Sequence, residues 1–182
     1  MMTSESQVSD QKATNPPAQI LVIRHGEKPG DPCVENEADS PDLSIKGQER
    51  AAALAFNLPA AFGKIDHLFA TQKSKHSDRP VETITPLAAA LNLKINSDYA
   101  DGDFETIAAH ILGHPKYSGE RILICWHHGK IPQLAAALHV ANPPSPWPCG
   151  VFDRVWIIDY EAGGSAVLRN VPQQLLYGES DS

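Results

Sequence analysis

The feature that most constrains this chain is the run Ile20-Leu21-Val22-Ile23 leading directly into Arg24-His25-Gly26. Four apolar residues, three of them β-branched, predict a strand buried on both faces. The glycine lets the chain turn sharply at its end. Such a strand delivers an arginine and a histidine at its carboxyl end, where open α/β sheets bind ligands. Taken alone, the segment also fits an ordinary strand end with a salt-bridging arginine and a capping histidine. The pattern recurs, however, in Ile122-Leu123-Ile124-Cys125-Trp126 followed by His127-His128-Gly129.

Strand and helix spacings alternate along the rest of the chain. Ser44 predicts a helix N-cap, with Ala51, Ala52, Leu54, Ala55 and Leu58 at helical spacing as far as Pro59. His67-Leu68-Phe69-Ala70 predicts a second buried strand. Asp78 or Ser77 caps the next helix, which has Pro80 in its first turn and Val81, Ile84, Ala88 and Leu91 on one stripe. Leu93 to Ile95 predicts a third strand, Asp103 caps a helix reaching about Leu112, and Ile131 to Leu138 is helical. Val155-Trp156-Ile157-Ile158, a Gly163-Gly164 turn and Ala166-Val167-Leu168 read as a hairpin. The predicted fold is therefore α/β: a three-layer sandwich with a mostly parallel central sheet, helices on both faces and a C-terminal antiparallel hairpin. Residues 1–18 read as a flexible polar tail, and 19–178 as a single domain. The loop 28–42 carries Asp31, Glu35, Glu37, Asp39 and Asp42, and is either a solvated acidic segment or a binding loop.

A net charge of -7 and a pI of about 5.5 advertise no basic face for nucleic acid or anionic lipid. No apolar stretch has the length of a membrane span or the form of a signal-peptide core, so the cytoplasm is the expected compartment. Three cysteines do not make a disulfide framework. Cys125 reads as a packed thiol, and Cys33 and Cys149 lie in Pro/Gly-rich loops where a bridge is conceivable but not the expected arrangement. Trp126, Trp147 and Trp156 read as packing residues.

Arg24-His25-Gly26-Glu27 after a buried strand, Leu43-Ser44 with Gly47 and Arg50-Ala51, Arg79 with Thr83, and His128-Gly129 after a second buried strand form an ordered set. From about Ala18 to the final hairpin this set resembles the histidine phosphatase (phosphoglycerate mutase-like) superfamily, small phosphatase branch. The resemblance implies that His25 attacks phosphorus to give a phosphohistidine, needing neither metal nor cofactor. It implies that Arg24 and Arg79 grip phosphate oxygens, that His128 donates to the developing charge, and that Glu27 and Lys28 border the substrate. Because consecutive strand residues face opposite ways, His127 is expected at the rim. Zinc bound by Cys125, His127 and His128 would have a spacing that matches no standard ligand set.

The proton donor is sought among Asp101, Asp103 and Glu105. Asp103 has a role as an N-cap and Glu105 as a first-turn acid, which leaves Asp101 as the preferred candidate. Thr83 and Arg50 read as structural. The implied partner is a phosphorylated small molecule or phosphoprotein, with no nucleic acid and no membrane involved. The alternatives are a non-catalytic module that binds phosphate or phosphoprotein, and a mutase-type phosphotransferase.

Overall fold

Ile20 and Val22 pack into one hydrophobic cluster and Leu21 and Ile23 into another, all four wholly buried, as a strand covered on both sides requires. A computed structural model describes residues 15–34, 40–161 and 164–179. Within them, β1 (Gln19–Arg24), β2 (His67–Thr71), β3 (Ile95–Tyr99), β4 (Arg121–Trp126), β5 (Arg154–Tyr160) and β6 (Ala166–Pro172) form one sheet in the order β3-β2-β4-β1-β5-β6. The first four strands are parallel; β5 runs antiparallel to β1, and β6 completes the hairpin. The cluster holding Leu21 and Ile23 includes residues of α1 (Ile45–Phe62) and α2 (Arg79–Leu91). The one holding Ile20 and Val22 includes residues of α3 (Phe104–Gly113) and α4 (Ile131–Ala137). The three-layer α/β architecture read from the sequence is the one observed. Each fully buried aliphatic side chain contributes about 1.5–3 kcal/mol, so these two clusters fix the sheet that the loops then decorate.

Several local expectations are corrected. α1 passes through Pro59 and ends at Gly63, because Leu58 and Phe62 both pack into the core and hold the extra turn down. The third strand starts at Ile95, not Leu93: Leu93 follows Asn92, which caps α2 with φ 53°, and it packs into the core instead. As an edge strand covered less completely, β3 tolerates the polar Asn96-Ser97-Asp98 that hid it. Ser44 caps α1 as expected, its side chain accepting from the Gly47 amide at 3.1 Å. Asp78 and Asp103 occupy N-cap positions, but neither side chain caps its helix. Asp78 pairs with Lys73, and Asp103 accepts from the Ala100 amide in the turn behind it.

The polar tail was expected to reach residue 18, yet its last residues are tied down. The Ala18 amide donates to the Glu120 carbonyl at 2.9 Å and the Gly119 amide to the Pro16 carbonyl at 3.1 Å. The rest of that segment, 1–14, together with Glu35, Glu37, Asp39 and Gly163, lies outside the described residues. The three tryptophans are packed in the core. Cys125 is buried, and burial pushes its thiol pKa upward. The cysteine expectation is overturned, since Cys33 and Cys149 form a disulfide.

Candidate active site

His25 is the first residue beyond β1, and its amide donates to the Trp126 carbonyl at 3.1 Å. Its Nδ1 lies 2.7 Å from the Gly26 carbonyl oxygen. A carbonyl can only accept, so Nδ1 carries the proton and Nε2 keeps its lone pair. Burial holds the imidazole pKa well below its ordinary value, reinforced by His127 and Arg24 and opposed by the Gly26 bond, with Arg79 adding a smaller depression. The ring is therefore neutral at neutral pH.

One buried hydroxyl couples this histidine to the next element. The Gly26 amide donates to Thr83 Oγ1 at 2.8 Å, and the Thr83 hydroxyl donates to the Arg79 carbonyl at 2.7 Å. These two bonds tie the loop after β1 to the start of α2. Arg79 Nη1 donates to the Ser40 carbonyl at 2.9 Å. Arg24, 1% exposed, donates through Nη1 to the carbonyls of Cys149 at 2.5 Å and Val151 at 3.0 Å. Its guanidinium lies 3.7 Å from the centre of the Phe152 ring.

Arg24, His25, Lys28, Arg79, Asp101, His127 and His128 line one cleft of about 320 Å³, joined by Ser74, His76 and Ser77. It opens at the carboxyl ends of the parallel strands, beside the N-terminus of α2. So many buried donors of one sign repel one another, and an anion seated among them relieves that cost.

His127 takes a position that strand alternation did not foresee. Its ring centre stands 5.0 Å from that of His25, at 68°. Burial, then Arg79, His128 and Arg24, lower its pKa to about 4. The strand ends at Trp126, so His127 and His128 sit in the turn beyond it and both reach the cleft. The expected rim residue is thus the one packed against His25.

Of the three acids considered, only Asp101 lines the cleft. Its Oδ1 is buried without a hydrogen-bond partner among the described residues, and burial raises its pKa to about 6 against the opposing charge of Lys130. Trp126 Nε1 donates to the Asp101 carbonyl at 3.2 Å and ties that turn to the end of β4. Asp103 and Glu105 are exposed, and Glu105 borders a separate groove between α3 and α4.

Lys28 and Glu27 part company. Lys28, 6% exposed, lines the cleft and donates to the Val34 carbonyl at 2.5 Å. Glu27 turns away, contrary to the expectation that it borders the substrate. Its carboxylate meets buried Arg50 at 2.7 and 3.0 Å, and Arg50 also contacts Glu179 and Gln173. Burial raises the Glu27 carboxyl, but the Arg50 hydrogen bonds and charge outweigh it, so its pKa is lowered overall. A depressed carboxylate stabilises the fold above its unfolded pKa. That contribution is lost as pH falls through the lower folded value.

The cleft also depends on two backbones touching. The Ser44 amide donates to the Glu27 carbonyl at 2.9 Å. A Cβ on Gly47 would stand 2.4 Å from the same oxygen, and one on Gly26 would stand 2.9 Å from the Gly47 carbonyl. Alanine in a helix normally gains up to about 1 kcal/mol over glycine. At Gly47 a clash of about 1–3 kcal/mol outweighs it. Gly47→Ala is expected to lower the melting temperature and weaken phosphate binding together; unchanged phosphate affinity in a calorimetric titration would contradict the coupling of α1 to the cleft.

No protein-family model matches the chain, and no curated protein matches it in sequence. Solved structures do match in fold. The protein histidine phosphatase SixA complexed with tungstate superposes with a TM-score of 0.61 at 15% identity, covering 85% of this chain and 97% of that one. Phosphoglycerate mutase from Bacillus anthracis gives 0.57 at 18% identity, covering 88% and 95%. A mycobacterial glucosyl-3-phosphoglycerate phosphatase gives 0.57 at 17% identity, covering 85% and 97%. The chain thus has the fold of the histidine phosphatase, or phosphoglycerate mutase-like, superfamily. Among the described residues no helix is long and apolar enough to cross a membrane.

Proposed function

We propose that this protein is a phosphatase that hydrolyses a phosphomonoester or a phosphorylated protein side chain through a phosphohistidine at His25, using no metal. The observation that carries the reading is the Nδ1 contact with the Gly26 carbonyl, which leaves Nε2 as a lone pair at a cleft lined by Arg24, Lys28 and Arg79.

Nε2 attacks phosphorus in line, the ester P–O bond breaks, and the leaving oxygen takes the proton of Asp101. Arg24, Arg79 and Lys28 offset the charge on the equatorial oxygens, with His127 and His128 as further donors. Water then attacks the phosphohistidine, Asp101 carboxylate accepts its proton, and the N–P bond breaks to release phosphate. The structural relatives support the phosphatase class: two of the three are phosphatases by name, and one was solved with tungstate, an oxyanion of phosphate-like shape. A half-buried acid with a raised pKa, its Oδ1 shielded at the cleft, favours an enzyme over a module that only binds phosphate.

The test is release of nitrophenol from p-nitrophenyl phosphate by the full chain, with and without chelator, from mildly acidic to neutral pH. Turnover that survives the chelator is expected. Phosphate binding without turnover at any pH would instead make the chain a binding module.

A further inference from the structure

We propose that Ser77 is a further anion-binding residue of the cleft, its hydroxyl turning onto a phosphoryl oxygen when the cleft fills. The inference rests on the reading of the cleft as an anion site. Ser77 stands two residues before Arg79, lines the cleft with it, and is 5% exposed. Its Oγ is buried and has no hydrogen-bond partner among the described residues. The N-cap position of α2 belongs to Asp78, so capping does not account for the serine either. A buried hydroxyl in this state has given up its bonds to water and gained nothing in exchange.

The polar groups around it are engaged, which sets the hydroxyl apart. The Ser77 amide donates to the Ser74 carbonyl at 3.3 Å and to Ser74 Oγ at 3.1 Å, and the Ser74 amide donates back to the Ser77 carbonyl at 3.1 Å. Ser74 Oγ also accepts from the His76 amide at 3.2 Å. The Asp78 amide donates to the Pro41 carbonyl at 2.9 Å, and the Asp78 carboxylate accepts from Lys73 at 3.0 Å. Of the two serines lining the cleft, one is spent on the turn and the other is not.

With its amide and its carbonyl both held, Ser77 moves its hydroxyl by rotation about the Cα–Cβ bond, among three staggered positions. The position it holds meets no acceptor among the described residues. An anion beside Arg79 and His25 brings acceptors to the same wall, and a hydrogen bond to a charged oxygen is stronger than one to a neutral oxygen. A neutral donor also adds grip without adding to the repulsion among the cleft's cations.

The experiment measures two quantities on the full chain: the melting temperature without phosphate, and the affinity for inorganic phosphate by calorimetric titration well below that temperature. Ser77→Ala is expected to weaken phosphate binding roughly tenfold. Its melting temperature without phosphate is expected to equal or exceed that of the wild type, because the change deletes a buried hydroxyl that bonds nothing in the fold. Ser74→Ala is the contrast, expected to lower the melting temperature because two amides lose their acceptor. Phosphate affinity in Ser77→Ala within about threefold of the wild type overturns the proposal. So does a lower melting temperature of Ser77→Ala without phosphate, which would mean that the hydroxyl already serves the fold. Wild-type protein that binds no phosphate removes the anion site, and the proposal with it. Because binding is read without turnover, phosphate affinity that depends on Ser77 in a chain that never hydrolyses keeps this role and loses the phosphatase. A phosphatase whose phosphate affinity ignores Ser77→Ala does the reverse.

Discussion

His25→Asn is expected to lower turnover of p-nitrophenyl phosphate by on the order of 10³-fold or more, which is typical for removal of a nucleophile that acts within a unit, while phosphate still binds. The asparagine keeps much of the ring's volume and leaves Arg24, Lys28 and Arg79 around the anion, so binding and chemistry separate. The covalent step has its own signature. Wild-type protein quenched in alkali during turnover of a radiolabelled ester is expected to retain label that acid removes, as a phosphorus–nitrogen bond does, and the variant is expected to retain none. The rival is close at hand, since His127 stands 5.0 Å away, ring to ring. Full activity in His25→Asn, with loss of both activity and label in His127→Asn, would exchange the two roles.

Asp101→Asn has the second large effect, and its size depends on the leaving group. General acids contribute roughly 10²–10⁴-fold, but p-nitrophenolate departs readily without a proton and an alkoxide does not. The variant is therefore expected to lose on the order of 10²-fold or more in kcat/KM, which reports phosphoryl transfer to His25 and not the later hydrolysis, on an alkyl phosphate, and far less in kcat/KM on p-nitrophenyl phosphate. The pH profile fixes the assignment. Asp101 must be protonated to donate, so kcat/KM on the alkyl ester falls as pH rises through about 6. His25, with its pKa well below the ordinary value, stays neutral through this range, so loss of the nucleophile lies further to the acid side. Asp101→Asn is expected to abolish the limb near pH 6; a limb that persists in the variant belongs to another group.

What could be read from the residues was whatever the chain encodes locally. Two apolar runs ending in histidine and glycine announced β1, β4 and their carboxyl ends, and the helix stripes gave both covering layers. Contacts between distant segments were less legible. Alternation placed His127 at the rim only because the strand was assumed to run past Trp126, and a strand's end is set by its neighbours. Glu27 and Lys28 are adjacent and were read together. Arg50, on another element, pulls one away, while Val34 keeps the other at the cleft. Asp103 fitted a capping position, but the Ala100 amide competes for its carboxylate. The pairing of Cys33 with Cys149 had no local signal, since nothing within either loop records the approach of the other.

That pairing also alters what kind of object the chain is. The bridge closes a covalent circle through α1, β2, α2, β3, α3, β4 and α4, leaving β1 and the β5-β6 hairpin as two arms that enter and leave it. Yet β1 lies hydrogen-bonded between β4 of the circle and β5 of the outgoing arm. A peptide bond broken anywhere inside the circle, in the exposed stretch 72–76 for instance, would open the ring without parting its halves. The strand that carries His25 would remain joined, by sulfur on one side and by the sheet on the other, to the turn that carries His127.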